Sequence, residues 1–170
     1  MLGSLINPIA GEASKVSEFY SSHQGHEPLP GDGIDIDSLF SLTQVTNDGH
    51  TLPLDARFRY SQRDPYAVRI LFLCGEQPVE WTFGRELFID GVYAPTGNGD
   101  VKAWPTLSEN GEAHIAFSLR NVRENFVGIY TAPTRDMMLF LDQTLDLVPQ
   151  GFESQPYERA ELTIQQFLGK

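Results

Sequence analysis

An α+β fold, with a curved antiparallel sheet and its helices on one side, is what this sequence predicts, on three observations. Strand-like runs follow one another across short turn-bearing connections, which antiparallel pairs allow and parallel pairs do not. Helical patterns arrive after runs of strands rather than between them, and they do so once in each half of the chain. A length of 170 residues suits one domain with a sizeable core.

The first strand begins at Ile34. Ile34, Ile36, Phe40 and Leu42 share one parity, Asp35 and Asp37 take the other, and Asn47-Asp-Gly49 turns the chain. In the second strand Leu52, Leu54, Ala56, Phe58 and Tyr60 point one way while Asp55, Arg57, Arg59 and Ser61 point the other. Pro53 puts the start of that strand at an edge or outside the ladder. Residues 67–74 are apolar except for Arg69, and the short length and following Gly75 favour a strand covered on both faces over a buried helix. Val79, Trp81 and Phe83 then alternate with Glu80, Thr82 and Gly84, the pattern of a strand with one wet face. A short helix over residues 85–89 follows, stopped by Gly91.

The second half repeats this plan. Pro95-Thr-Gly-Asn-Gly99 turns the chain into a strand over 101–104, which Pro105 ends. Strands over 113–119 and 126–130 are joined through Ser108-Glu-Asn-Gly111 and residues 121–125. The strongest helix spans 135–148, with Thr134 as N-cap, Asp136 in its first turn and Gly151 past its end. Met137, Met138, Leu141, Leu145 and Val148 form its buried stripe, and a last helix covers 158–168. Residues 1–33 are rich in Gly, Ser, Pro, Glu and His and read as a flexible acidic extension, leaving 34–170 as the domain. Residues 12–20 carry a weak helical pattern within that extension.

Three runs in the middle of the chain carry a family resemblance. Asp64-Pro-Tyr-Ala-Val68, Glu80-Trp-Thr-Phe-Gly-Arg-Glu-Leu87 and Pro95-Thr-Gly-Asn-Gly-Asp-Val-Lys-Ala-Trp-Pro105 resemble the SsgA/SsgB-like family of actinomycete sporulation and cell-division regulators, in that family's order and spacing. The resemblance runs from about residue 34 to the C-terminus; the long N-terminal segment and the 121–130 region depart from it. It implies a two-repeat, Whirly-like sheet fold assembled as a homotrimer through intersubunit sheet contacts. It also implies a non-enzymatic, cytoplasmic regulator of septation that positions FtsZ at the division septum, with FtsZ, other family members or divisome proteins as partners. A scaffold for septal peptidoglycan synthesis is an alternative within the same resemblance.

Composition narrows the partners. The net charge of -11 divides into -7 for residues 1–56 (eight acids, one base) and -4 for residues 57–170 (fifteen acids, eleven bases). Nucleic acid and anionic membrane are both disfavoured, because such partners are held by surplus Lys and Arg. The single Cys74 cannot form an intrachain disulfide and lies in an apolar run, which fits an inert thiol in a reducing compartment. No apolar run approaches the roughly 20 residues needed to span a bilayer, and the N-terminus lacks the pattern of a signal peptide.

No constellation of residues supports catalysis or a bound cofactor. His23 and His26 lack the further ligands a closed zinc site requires. Asp32, Asp35 and Asp37 lack the closing bidentate Glu of a calcium loop. Gly97-Asn-Gly99 lacks the Lys-Ser/Thr ending of a phosphate loop and precedes a strand. Cys74 and His114 have no third group to orient them. The candidates for partner binding are Arg57, Arg59 and Arg63, a basic stripe suited to an acidic segment, and Trp104, either an interface anchor or a closing residue of the sheet. Trp81 is assigned to the core. A different class of function, single-stranded nucleic-acid binding along a Whirly-like sheet, would use Tyr60, Tyr66 and Trp104 to stack on bases.

Overall fold

The computed structural model describes residues 33–46, 48–75, 78–121 and 126–154. Seven strands form one antiparallel sheet: β1 (Ile36–Val45), β2 (Thr51–Ser61), β3 (Asp64–Phe72), β4 (Val79–Gly84), β5 (Val101–Leu107), β6 (Ala113–Asn121) and β7 (Phe126–Pro133). Helix α1 (Arg85–Gly91) follows β4, and helix α2 (Thr134–Leu147) follows β7. The strand order is β4-β3-β2-β1-β7-β6-β5, so each half contributes a meander and the two meet in the middle. That meeting is narrow. Of the ten residues of β1, only Thr43, Gln44 and Val45 pair with β7, whereas all ten pair with β2.

The sheet curls strongly, as its aromatic core demonstrates. Phe83 on β4 and Phe117 on β6 lie five strand steps apart, about 24 Å along a flat sheet, yet their ring centroids are 6.2 Å apart. Phe72 on β3 and Tyr130 on β7 approach to 4.7 Å. Phe40, Phe58, Phe88, Phe117 and Phe140 continue the cluster through the concave side, with T-shaped contacts that suit the ring quadrupole. Burial raises the phenol of Tyr130 to about 12, so it is neutral in this core. Helix α1 packs against β3, β4 and β5 and thereby bridges the two sheet edges, while α2 lies against β1, β6 and β7.

A single buried cation ties these parts together. Arg85, the first residue of α1, is 1% exposed. Its Nη1 donates to the Tyr60 hydroxyl at 3.1 Å and to the carbonyls of Thr144 at 3.2 Å and Val148 at 2.7 Å. Its Nη2 donates to Glu153 Oε1 at 2.6 Å. The guanidinium therefore sits where the C-terminal carbonyls of α2 converge, which is favourable for a cation. Burial opposes ionisation of Glu153, but backbone N–H groups and Arg85 outweigh it and hold the carboxyl below its usual value.

The alternation read from the sequence orients the strands correctly, and several details differ. β3 is not covered on both faces: Val68, Ile70 and Phe72 are buried, while Arg69 and Leu71 are half-buried on the outside. β5 runs through Pro105 to Leu107, because it is an edge strand and a missing N–H on the open side breaks no ladder bond. The bare side of β5 is partly closed by Thr96, which exchanges two backbone hydrogen bonds with Ala103. Gly91 acts through space rather than through a left-handed cap, since a Cβ there would lie 2.6 Å from Ala103 Cβ. α2 buries Met137, Phe140, Leu141 and Thr144, while Met138 faces outward and Thr134 makes no side-chain cap. Trp81 is half-buried against the core rather than inside it. The N-terminal extension, the 12–20 pattern and the 158–168 helix lie outside the described residues.

Two measurements check this account. Gly91→Ala is expected to cost about 1–3 kcal/mol through forced displacement of β5, read as a lower urea midpoint; an unchanged midpoint would show that α1 and β5 are loosely packed. Glu153 has a depressed folded-state pKa, so its stabilisation is complete above its unfolded value near 4.5 and is lost as pH falls through the folded value. Melting temperatures of wild type and Glu153→Gln should therefore differ at pH 7 and converge in acid, whereas a constant gap would assign Glu153 no ionic role.

Candidate functional site

Strand alternation sends apolar side chains to the concave core and leaves the convex side of the sheet to polar ones, so the candidate contact residues belong on that outer face. Arg57 and Arg59 do lie there, on β2. Both close on Asp37 of β1: Arg57 Nη1 donates to Oδ1 and Arg59 Nε to Oδ2, each at 3.1 Å. The register dictates this clasp, because Asp37 faces Arg59 directly and Arg57 stands one outward position along. The arginine side chains are 21% and 23% exposed and the carboxylate 7%, so the cluster lies flat along the sheet. Arg69 of β3 pairs in register with Arg59 and extends the stripe by one strand.

Arg63 is not part of this arrangement. It sits in the β2–β3 turn, where its backbone N–H donates to Ser61 Oγ. Its side chain turns towards the start of β1, since a Cβ on Gly33 would lie 3.3 Å from Arg63 Cδ and Nη1.

Trp104 occupies the outer face of β5, half-buried, with Ala103 taking the inward position. It faces Ala116 of β6, and the same row continues to Thr131 of β7 and Thr43 of β1. Between Arg57 and Trp104 lie β1, β7 and β6, a path of about 24 Å measured along the curved sheet, four strand steps across and four residues along. The stripe and the tryptophan share a face without sharing a site.

The proposed stacking set is not assembled either. Tyr60 is fully buried beneath Arg85, with the guanidinium carbon 5.3 Å from its ring centroid and its hydroxyl donating to the Pro65 carbonyl. Burial pushes that phenol to about 12, and only Tyr66 of the three is an exposed large aromatic. Cys74 is half-buried with its thiol pushed up by burial, the reverse of an activated nucleophile. Among the described residues no group of three or more His, Cys, Asp or Glu is placed to hold a metal ion, and no helix is long and apolar enough to cross a membrane.

Sequence reading passed over Asp37 as a partner, Arg69 as part of the stripe and Arg85 as a buried ion. For Arg69 a signal existed: it is the one charge in an apolar run, at outward parity. For Asp37 and Arg85 the partners lie 20 to 68 residues away in the chain, and spacing carries no trace of them.

The chain is similar to known proteins over most of this sheet. Residues 54–153 match the family described as Streptomyces sporulation and cell division protein, SsgA. The sporulation-specific cell division protein SsgB of Streptomyces coelicolor is 36% identical over 118 residues, covering 69% of this chain and 84% of that protein. SsgB of Thermobifida fusca is 38% identical over 130 residues, covering 74% and 90%. Among solved structures, one from a study of SsgB mutations and longitudinal cell division during sporulation of S. coelicolor superposes with a TM-score of 0.67 at 34% identity, over 74% of this chain and 98% of that one. The SsgA-like sporulation-specific cell division protein of T. fusca also gives 0.67 at 34% identity, over 78% and 94%.

Asp37→Ala leaves two guanidiniums side by side without their carboxylate. The expected loss is about 1–3 kcal/mol, seen in urea unfolding, with Arg57→Gln in the same background recovering part of it. A neutral Asp37→Ala would mean that solvent screens the clasp.

Proposed function

Because this chain belongs to the SsgA family of sporulation and cell division proteins, we propose that it regulates septum formation through protein contacts, placing or activating FtsZ, and that it does so without catalysis. The observation that carries the reading is the match to SsgB across 84% of that protein's length, together with the same curved sheet. The outer face supports it physically. It offers fixed, shallow, strand-borne side chains, which suit recognition of another protein's surface. In this reading the protein works as a homotrimer in the cytoplasm, at the division septum.

Co-sedimentation of the full chain with FtsZ polymers from the same organism tests the reading, with light scattering on the same preparation. The chain is expected to pellet with polymers and to remain in solution without them, and its mass should be three times the 19.0 kDa protomer. A chain that stays in the supernatant at micromolar concentration would redirect the search to cell-wall or other divisome proteins. A monomeric mass would remove the trimer.

A further inference from the structure

The register sorts charge between the faces of this protein. On the outer side of β1–β4 the charges balance, three arginines (Arg57, Arg59, Arg69) against Asp37, Asp55 and Glu80. On the outer side of β5–β7 they do not. Lys102 and Arg120 point outward there, since Ala103 and Leu119 point in, and no outward position of these three strands carries a carboxylate. The remaining outward residues are neutral or apolar. Trp104 faces Ala116, Lys102 faces Ser118 and then Ile129, and Arg120 faces Val127, which is 49% exposed. Asp100, in the turn before β5, lies beside this face, and its carbonyl accepts from the Arg120 backbone N–H. On a chain of net charge -11, a set of outward strand positions among the described residues that carries two cations, an indole and exposed aliphatic carbon and no carboxylate is a segregated feature.

We propose that the outer face of β5–β7 is a docking surface for an acidic segment of a partner protein, one in which carboxylates alternate with apolar side chains. Lys102 and Arg120 receive the carboxylates at the rim. Trp104, Ile129 and Val127 take the apolar anchors, the arrangement that gives interface hot spots their energy. The net acidity of the chain disfavours the same segment elsewhere, and the balanced face of β1–β4 offers it no net attraction. Arg57 and Arg59, clasped on Asp37, play no part in this site. The assignment rests on the reading that this protein acts through protein contacts, but it does not require that FtsZ be the partner.

The probe is a fluorescein-labelled peptide of repeated Asp-Asp-Leu, about twelve residues long, titrated by anisotropy against the full chain at low and physiological salt. Salt-sensitive binding is expected, weakened about tenfold by Lys102→Glu with Arg120→Glu. Asp142→Lys with Asp146→Lys, on the exposed side of α2, should leave it undiminished. Matched melting curves show that the exposed substitutions leave the fold intact. The proposal is overturned by no binding of the peptide at low salt, by the same loss in Arg57→Glu with Arg59→Glu, or by a changed molecular mass in the Lys102/Arg120 variant, which would make the face a contact between copies. Tighter binding of an oligodeoxythymidylate of equal charge would overturn it in favour of nucleic acid. Pelleting with FtsZ, measured on the same variants, is a separate readout: if wild type fails to pellet while the peptide result holds, the surface stands and the partner changes.

Discussion

A guanidinium buried to 1% exposure is a demanding object, because a charge withdrawn from water is tolerated only when its donors are met. Arg85 meets most of that demand by gathering its neighbours around its two terminal nitrogens, while Nε is left without a partner. It opens α1, lies over Tyr60 of β2, takes the carbonyls at the end of α2, and holds Glu153 beyond that helix. The first two belong to the leading half of the chain and the last two to the trailing half. One side chain therefore sets the position of α1 against α2, and with it the closure of the concave side. The aromatic cluster fills the concave side between these parts. The ion and its partners add directed polar contacts between the two halves beyond the β1–β7 seam.

The sheet then separates two kinds of chemistry by parity alone. Every inward position between Phe40 and Leu54, or between Ala103 and Leu119, must be compatible with a packed interior, and nearly all are apolar. Outward positions are released from that constraint and carry the charges. Because adjacent strands bring together residues far apart in sequence, the balance of charge on the outer face is a property of the register rather than of any segment. Residues 57–104 hold as many acids as bases in sequence, yet of the outward strand positions Glu80 shares the β1–β4 half with Arg57, Arg59 and Arg69, while Lys102 stands on the β5–β7 half among neutral residues and another cation.

This explains what could be read from the sequence. Alternation in β2 and β6 announced which of their residues form the core, because a period of two has few other causes. The family motifs fell in β3, β4 and the loop before β5, where the chain turns, bridges the sheet edges and forms its edge strand, so the resemblance was concentrated where local geometry is most constrained. The reading failed where an outcome depended on distant partners. Pro105 did not end β5, because the strand proved to be an edge. Gly91 answered to Ala103 rather than to its own helix. Arg57, Arg59 and Trp104 were all candidates for partner binding, and the width of three strands separates the two arginines from the tryptophan.

The short seam between β1 and β7 has a consequence for how the chain comes to be folded. Thr43 and Thr131 are about ninety residues apart in sequence, so theirs is among the most distant pairings in the molecule, and the entropy of closing that loop must be met before it forms. During synthesis the β1–β4 meander emerges first, with one flank of β1 and an apolar concave side both waiting for a trailing half that has yet to leave the ribosome. An unpaired strand flank beside exposed aromatic rings is a template for association with another nascent chain. The speed with which residues 126–147 follow thus bears on yield in the cell, independently of how stable the finished sheet is.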